Sequence, residues 1–289
     1  MTGSQMTPPA ARRFLMLQGP TNMLFAQVAE GLRALGHEVF RINICLGDQI
    51  FWRGPGASNF RSRPDEWPSF IATFLDRHRI DEILLLAEQR THHRAAIAAA
   101  RARNIPVTVT DFGYLRPDWV VVERNGMNAE STFTRDPAEI LAMAEGLPPL
   151  DKQVRYQHRF FNQALWDMTF HLSSALMPLP FPHFQRHTLS PPILTYLCIG
   201  WRLLRGPFEQ RRAESIVAAA RRQGPLYVFA MQTEDDYSLR AYSHYASQDE
   251  AMHEVILSFA RHAPKDANLI FKLHPLDPGL KAWGRRTKN

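Results

Sequence analysis

The segment Ile83-Leu84-Leu85-Leu86-Ala87 constrains this chain more than any other. Five consecutive apolar residues bounded by charged groups suit a strand buried on both faces, the condition of an interior strand in a parallel sheet. Its surroundings repeat the pattern. Phe14 to Gln18 is a short apolar run broken by Gly19-Pro20, after which Leu24, Phe25, Val28, Leu32 and Leu35 recur at helical spacing and Gly36 closes the helix. Val39 to Ile44 is a second strand. Pro64 opens a helix to Arg79 with acids in its first turn. An alanine-rich helix spans His92 to Arg103, and Val107 to Asp111 is the strand after it. Strands alternating with helices require crossovers, and these give a doubly wound α/β sheet. We therefore expect one α/β domain over residues 12–146.

The pattern changes after the proline cluster Gly146-Leu147-Pro148-Pro149-Leu150. Residues 147–222 read as a helical connector, rich in aromatic and basic residues and broken by prolines. A second strand–helix–strand unit follows over 223–289: a strand in 224–232, a helix over 248–262 with Met252, Val255, Ile256 and Phe259 on one face, and a strand over 268–273. A doubly wound domain takes about five or six strands, so the expectation is an incomplete second domain on a truncated chain.

Composition narrows the class. Of 289 residues, 45% are hydrophobic and 21% charged, which fits a folded chain. The two cysteines, Cys45 and Cys198, match no zinc spacing and no disulfide framework, consistent with a reducing compartment. The start carries no apolar core of signal-peptide length, and no run reaches a membrane span. The net charge of +6 suits an anionic partner or an inert basic surface. The basic residues are dispersed and no nucleic-acid recognition motif occurs, so nucleic acid is not an expected partner.

Ligands of open α/β sheets bind beyond the carboxyl ends of the strands. Four strand ends here carry polar groups or glycine: Gln18-Gly19, Asn43 with Gly47-Asp48 beyond it, Glu88-Gln89-Arg90, and Asp111 with Gly113. Singly, each is ordinary turn chemistry; together they outline a site. There is no G-x-G-x-x-G fingerprint after the first strand and no Walker A sequence. Adjacent histidines His92 and His93 diverge on a helix and make a poor chelate, so neither metal nor cofactor is expected. His274-Pro275 follows the last strand, with Lys272 just before; the pair reads as a phosphate or acid–base site or as a surface loop.

Several segments, Gln18-Gly19-Pro20, Arg41 to Trp52, Arg63 to Phe70, His92 to Ile97, Gly113 to Asn128 and Ser258 to Gly279, resemble the capsular polysaccharide Kdo transferases of the KpsS/LipB type, along nearly the whole chain. The resemblance implies a bacterial, cytoplasmic enzyme peripheral to the inner membrane, of glycosyltransferase-B-like fold with two Rossmann-like domains. It implies CMP-Kdo as donor, a phosphatidylglycerol-type lipid as acceptor, contact with the anionic membrane surface, and other capsule assembly and export proteins as partners. In that family an acid before a Gly-aromatic-Leu-Arg turn is catalytic, which falls on Asp111; Phe112 stands where a second acid is frequent. The His-Pro motif associated with CMP falls on His274 and Pro275. With Lys272 and Arg116 these form the expected donor side. Arg116 is equally suited to an ion pair with Asp118 or Glu123. Gly19, Asp48, Glu88 and Gly113 are expected to line the acceptor cleft. A second class stays open, a non-catalytic capsule lipid-binding or export scaffold.

Overall fold

The computed structural model describes residues 10–283 except 53, 114, 116–117, 152, 156–159, 178, 187–189, 235 and 282. The chain forms two compact units, Met1–His187 and Thr188–Asn289.

The first unit is built on β1 (Arg13–Met16), α1 (Leu24–Ala34), β2 (Glu38–Asn43), the short α2 (Leu46–Ile50), β3 (Ala57–Asn59), α3 (Trp67–His78), β4 (Glu82–Leu86), α4 (Thr91–Arg101), β5 (Val107–Phe112) and β6 (Val120–Arg124). The sheet order is β3-β2-β1-β4-β5-β6. The first five strands are parallel and β6 is antiparallel to β5. The expected doubly wound α/β class holds for this unit. Strands β3 and β6 are additions to the expected set. β3 has three polar or small residues, too few to show a period of two.

Both faces of the sheet are covered, which is why β4 reads as an unbroken apolar run. On one side Leu15, Ile42, Ile83, Leu85 and Val107 pack with Ile71 and Phe74 of α3 and Ala96 and Ala100 of α4. On the other, Met16, Val39 and Leu86 pack with Phe25, Ala26 and Ala29 of α1. Successive residues of β1, Leu15 and Met16, thus serve opposite cores, as strand geometry requires. Gly36 takes a φ of 87° and ends the first helix, as its position predicts. The helix expected from Pro64 begins with a 3-10 turn, Pro64–Glu66, before α3.

The stretch after β5 is a hairpin. Asp111 stands opposite Val121 and Phe112 opposite Val120. Strand β5 therefore runs one residue past Asp111, where the sequence reading placed its end. Trp119 is 42% exposed beside this turn. Helix α5 (Pro137–Ala144) follows, its N-cap Asp136 accepting from the Ala138 N–H.

Residues 147–222, read as one connector, fall in both units. Helix α6 (Phe160–Leu176) packs on α2 through Phe170, which lies against Phe51, and through Ser174, whose Oγ accepts from the Gly47 N–H at 3.0 Å. Helix α7 (Pro192–Gln223) belongs to the second unit. That unit continues with β7 (Leu226–Ala230), α8 (Tyr237–Tyr242), α9 (Gln248–His262) and β8 (Asn268–Lys272). β7 and β8 pair in parallel as a two-stranded sheet, the two strands expected there. Helix α9 spans the residues its periodicity predicts, and its N-cap Ser247 accepts from the Glu250 N–H.

Candidate functional site at the carboxyl edge of the sheet

Strand β1 connects to β2 on one side, while β4 and β5 lie on the other. The reversal falls between β1 and β4, the place where open α/β sheets hold ligands. The residues beyond these strands form a continuous polar network. Arg90, after β4, donates from Nη1 to Gln18 Oε1 of the β1 loop at 2.7 Å. Gln18 Nε2 in turn faces Asp48 Oδ2 at 3.4 Å. Asp48 also accepts from the Ile44 N–H at 3.0 Å and from Arg41 Nη2 at 2.9 Å. Arg41 further donates from Nη1 to the Leu17 carbonyl and from Nε to Asn43 Oδ1 at 3.0 Å.

Arg41 and Asp48 are both buried, and an ion pair out of water persists only when its remaining donors and acceptors are also met, as they are here. Burial lowers the Arg41 pKa and the Asp48 carboxylate opposes that shift. Burial, then the charge of Asp48, pushes the Cys45 thiol well above its usual range, which makes this cysteine an inert core group.

The β4–α4 loop carries backbone strain. Ala87 has a φ of 59°, a left-handed conformation that costs a residue with a Cβ about 1 kcal/mol or more. Two bonds hold it: its N–H donates to the Thr110 carbonyl at 3.0 Å, and its carbonyl lies 2.8 Å from His93 Nδ1. His93 is 1% exposed and, among the described residues, Nε2 has no hydrogen-bond partner. Burial first, then the Arg90 charge, lowers its pKa to about 3, so the ring is neutral at neutral pH and Nδ1–H is the donor. His92, beside it, is also held below its usual range by burial.

Helix α6 brings a second pair to this edge. Asp167 Oδ1 lies 3.4 Å from Thr21 Oγ1 of the β1–α1 loop and 3.7 Å from His171 Nε2. Burial lowers the His171 pKa, Asp167 opposes that, and Arg90 adds to it. The Arg90 charge thus disfavours protonation of the His171 ring. Neither Asp167 nor His171 stands out in the sequence. Their spacing of four on a helix was the available signal, but nothing local places α6 over the sheet edge.

The expected acceptor-side residues divide. Asp48 and Glu88 are almost fully buried: Asp48 serves Arg41, and Glu88 Oε2 accepts from the Met127 N–H at 2.6 Å, tying the chain after β6 to the β4 loop. Gly19 faces the Phe25 ring, 2.6 Å from where a Cβ would stand. Gly113 faces the Trp119 carbonyl oxygen at 2.2 Å from such a Cβ, so its glycine serves the hairpin turn. Asp111 is half-buried, and its Oδ1 accepts from the Phe112 N–H at 2.7 Å. Arg116 lies outside the described residues; of its two suggested partners, Asp118 accepts from the Arg155 N–H and Glu123 accepts from Ser131 Oγ.

In the second unit, His274 follows β8 and is half-buried, while Lys272 and Pro275 are exposed. His274 Nδ1 accepts from the Leu276 N–H at 3.1 Å, which puts the ring proton of the neutral form on Nε2. Asp277, buried, anchors the loop: Trp283 Nε1 donates to Oδ2 at 3.1 Å and the Gly279 N–H to Oδ1 at 2.6 Å.

Comparison with known proteins gives this edge a context. The chain is 27% identical to the capsule polysaccharide export protein KpsS of Escherichia coli over 278 residues, 95% of this chain and 70% of that protein. It is 26% identical to the capsule polysaccharide modification protein LipB of Neisseria meningitidis serogroup B, over 96% of this chain and 68% of that protein. Among solved structures, a UDP-GlcNAc 2-epimerase from Neisseria meningitidis aligns with 91% of the chain and 66% of its own length, at 10% identity and a TM-score of 0.28. Residues 81–289, which include the strained β4 loop, Asp111 and the His274 loop, match the family described as capsule polysaccharide biosynthesis protein, and this chain belongs to that family.

Proposed function

We propose that this protein transfers Kdo from CMP-Kdo to a phosphatidylglycerol-type lipid at the inner-membrane surface, within capsular polysaccharide assembly and export. The observation that carries the reading is the polar network at the β1/β4 reversal: Gln18, Arg90, Asp167 and His171 converge where a doubly wound sheet binds ligands, in a chain of the capsule polysaccharide family. In this reading the two units are the Rossmann-like domains of a glycosyltransferase-B-like enzyme. The LipB relative's name, a modification protein, accords with a transferase.

The reaction forms a bond from the acceptor oxygen to the anomeric carbon of Kdo and breaks the bond from that carbon to the phosphate. CMP departs with the electron pair, and the acceptor proton passes to a base. Asp111 is assigned as the catalytic carboxylate. His274, through Nε2–H, and Lys272 would offset the charge gathering on the phosphate; Pro275 fixes the backbone beside that histidine. Arg116 would pair with the Kdo carboxylate.

The test incubates the purified chain with CMP-Kdo and phosphatidylglycerol-type acceptor micelles, following Kdo-lipid and CMP together. Equimolar appearance of both is expected, with Asp111→Asn lowering the rate at least about a hundredfold. Lipid binding with no CMP release above background would replace the enzyme by the scaffold reading, which the name of the export relative suits.

A further inference from the structure

Helix α7 carries an apolar stripe that enters none of the hydrophobic cores found among the described residues. Ile193, Leu194, Leu197, Trp201, Leu204 and Phe208 follow one another at intervals of three and four residues beyond the first pair. At 3.6 residues per turn they lie within about 100° of arc. All six are exposed: Leu197 by 68%, Trp201 by 61%, and Leu204 and Phe208 by 73% each. Amphipathic helices of folded chains turn such a stripe to a core. Here the helix is buried only at Pro192 and Ala220, near its two ends.

The charge around the stripe is one-sided. From Pro192 to Arg212 the helix has four arginines, Arg202, Arg205, Arg211 and Arg212, and one acid, Glu209. Arg202 is turned to Asp277 and Arg205 lies 3.8 Å from Glu209. Arg211 and Arg212 continue the face of the stripe one turn beyond Phe208. No helix among the described residues is long and apolar enough to cross a membrane.

We propose that this face of α7 docks on the surface of an anionic phospholipid bilayer, lying in the interface with Trp201 and Phe208 among the acyl chains and the arginines at the headgroups. Trp, Phe and Leu on one face with arginine at its margin is the make-up of an interfacial helix, and long arginine side chains reach back to the headgroups while their stems cover apolar surface. A second copy of the chain suits the stripe less well. Paired in parallel, the stripes would set Arg205, Arg211 and Arg212 of one copy near those of the other, and like charges across an interface oppose association. An anionic surface turns the same charge into attraction. This surface rests on the reading that the chain works at the membrane, but vesicle binding is measured without CMP-Kdo, so docking and transfer can each fail alone.

The test is co-sedimentation of the full chain with vesicles of phosphatidylglycerol and phosphatidylcholine, against vesicles of phosphatidylcholine alone, at low and high salt. Tryptophan emission is read in parallel. Binding is expected on the anionic vesicles only, weakening as salt rises, with a blue shift that Trp201→Ser removes. Arg211→Glu with Arg212→Glu should weaken binding by about thirtyfold or more, since two arginines near an anionic surface contribute about that factor. Leu204→Ser with Phe208→Ser should also weaken it at unchanged charge. All these side chains are exposed, so circular dichroism matching the parent is the control for folding. Equal binding to neutral and anionic vesicles, no binding at all, or variants that bind as the parent does would each overturn the proposal. So would a concentration-dependent dimer, lost on Leu197→Glu, in a chain that ignores vesicles; that result would give the stripe to a second copy.

Discussion

Arg41 and Asp48, the first on β2 and the second in the α2 turn that follows it, form an ion pair at 2.9 Å with both side chains out of water. The pair closes the β2 turn against β1, because Arg41 also holds the Leu17 carbonyl. Removing one partner leaves a buried charge unmet, which costs about 3–5 kcal/mol. Arg41→Ala and Asp48→Ala should each lose about that much stability in urea denaturation. The double variant Arg41→Met, Asp48→Leu should lose clearly less than the sum, because it leaves no orphaned charge. Strict additivity would mean that the two do not act as a pair.

His93 predicts a pH dependence of stability. Its folded pKa, about 3, lies below the value of about 6.5 in an unfolded chain. The folded state therefore refuses a proton that the unfolded state takes up as pH falls below 6.5. The stabilisation from this group is whole above that pH and is lost towards pH 3, at up to about 1.4 kcal/mol per pH unit. His93→Asn keeps a donor near the Ala87 carbonyl and cannot titrate. Its denaturation midpoint should fall less steeply between pH 6.5 and 4 than the parent's; parallel curves would remove His93 as the cause.

Gly113→Ala should open the β5–β6 turn. The added Cβ would stand 2.2 Å from the Trp119 carbonyl oxygen, and that oxygen is backbone, which cannot swing aside. A forced backbone shift of this kind costs about 1–3 kcal/mol. Amide exchange should quicken at Val120 and Val122, whose strand pairs with β5. Unchanged exchange would show that the turn tolerates a side chain.

His274→Asn separates the two ring nitrogens. Asparagine presents an oxygen near the place of Nδ1, so the Leu276 N–H keeps an acceptor, while the outward Nε2 is lost. CMP binding measured by calorimetry should weaken by about tenfold, the value of a hydrogen bond to a charged group, with thermal stability nearly unchanged. Equal CMP affinity would leave His274 a loop-shaping residue.

The sequence by itself determined the alternation of strands and helices in the first unit. Buried parallel strands such as β4 are continuous apolar runs, and α1, α3, α4 and α9 follow a period of 3.6 residues, so both signals are local. It also determined the family, because the matching motifs are long. The hairpin partner of β5 was not legible: Val120–Arg124 has no apolar run like that of β4, and only its pairing with β5 makes it a strand. Nor could the sequence show that Asp48 and Glu88 lie buried beneath the sheet edge. A carboxylate in a loop looks the same whether it meets a ligand or the Arg41 guanidinium, and Arg41 Nη2 reaches Asp48 only because the chain turns back after β2.

The same holds for α6 and α7. Both are aromatic-rich helices flanked by basic residues, and composition reads them as one connector. The tertiary structure separated them: Phe170 is buried against Phe51 while Trp201 and Phe208 stay in solvent. Burial depends on what another part of the chain presents opposite, and that is a property of the folded molecule which no window of sequence contains.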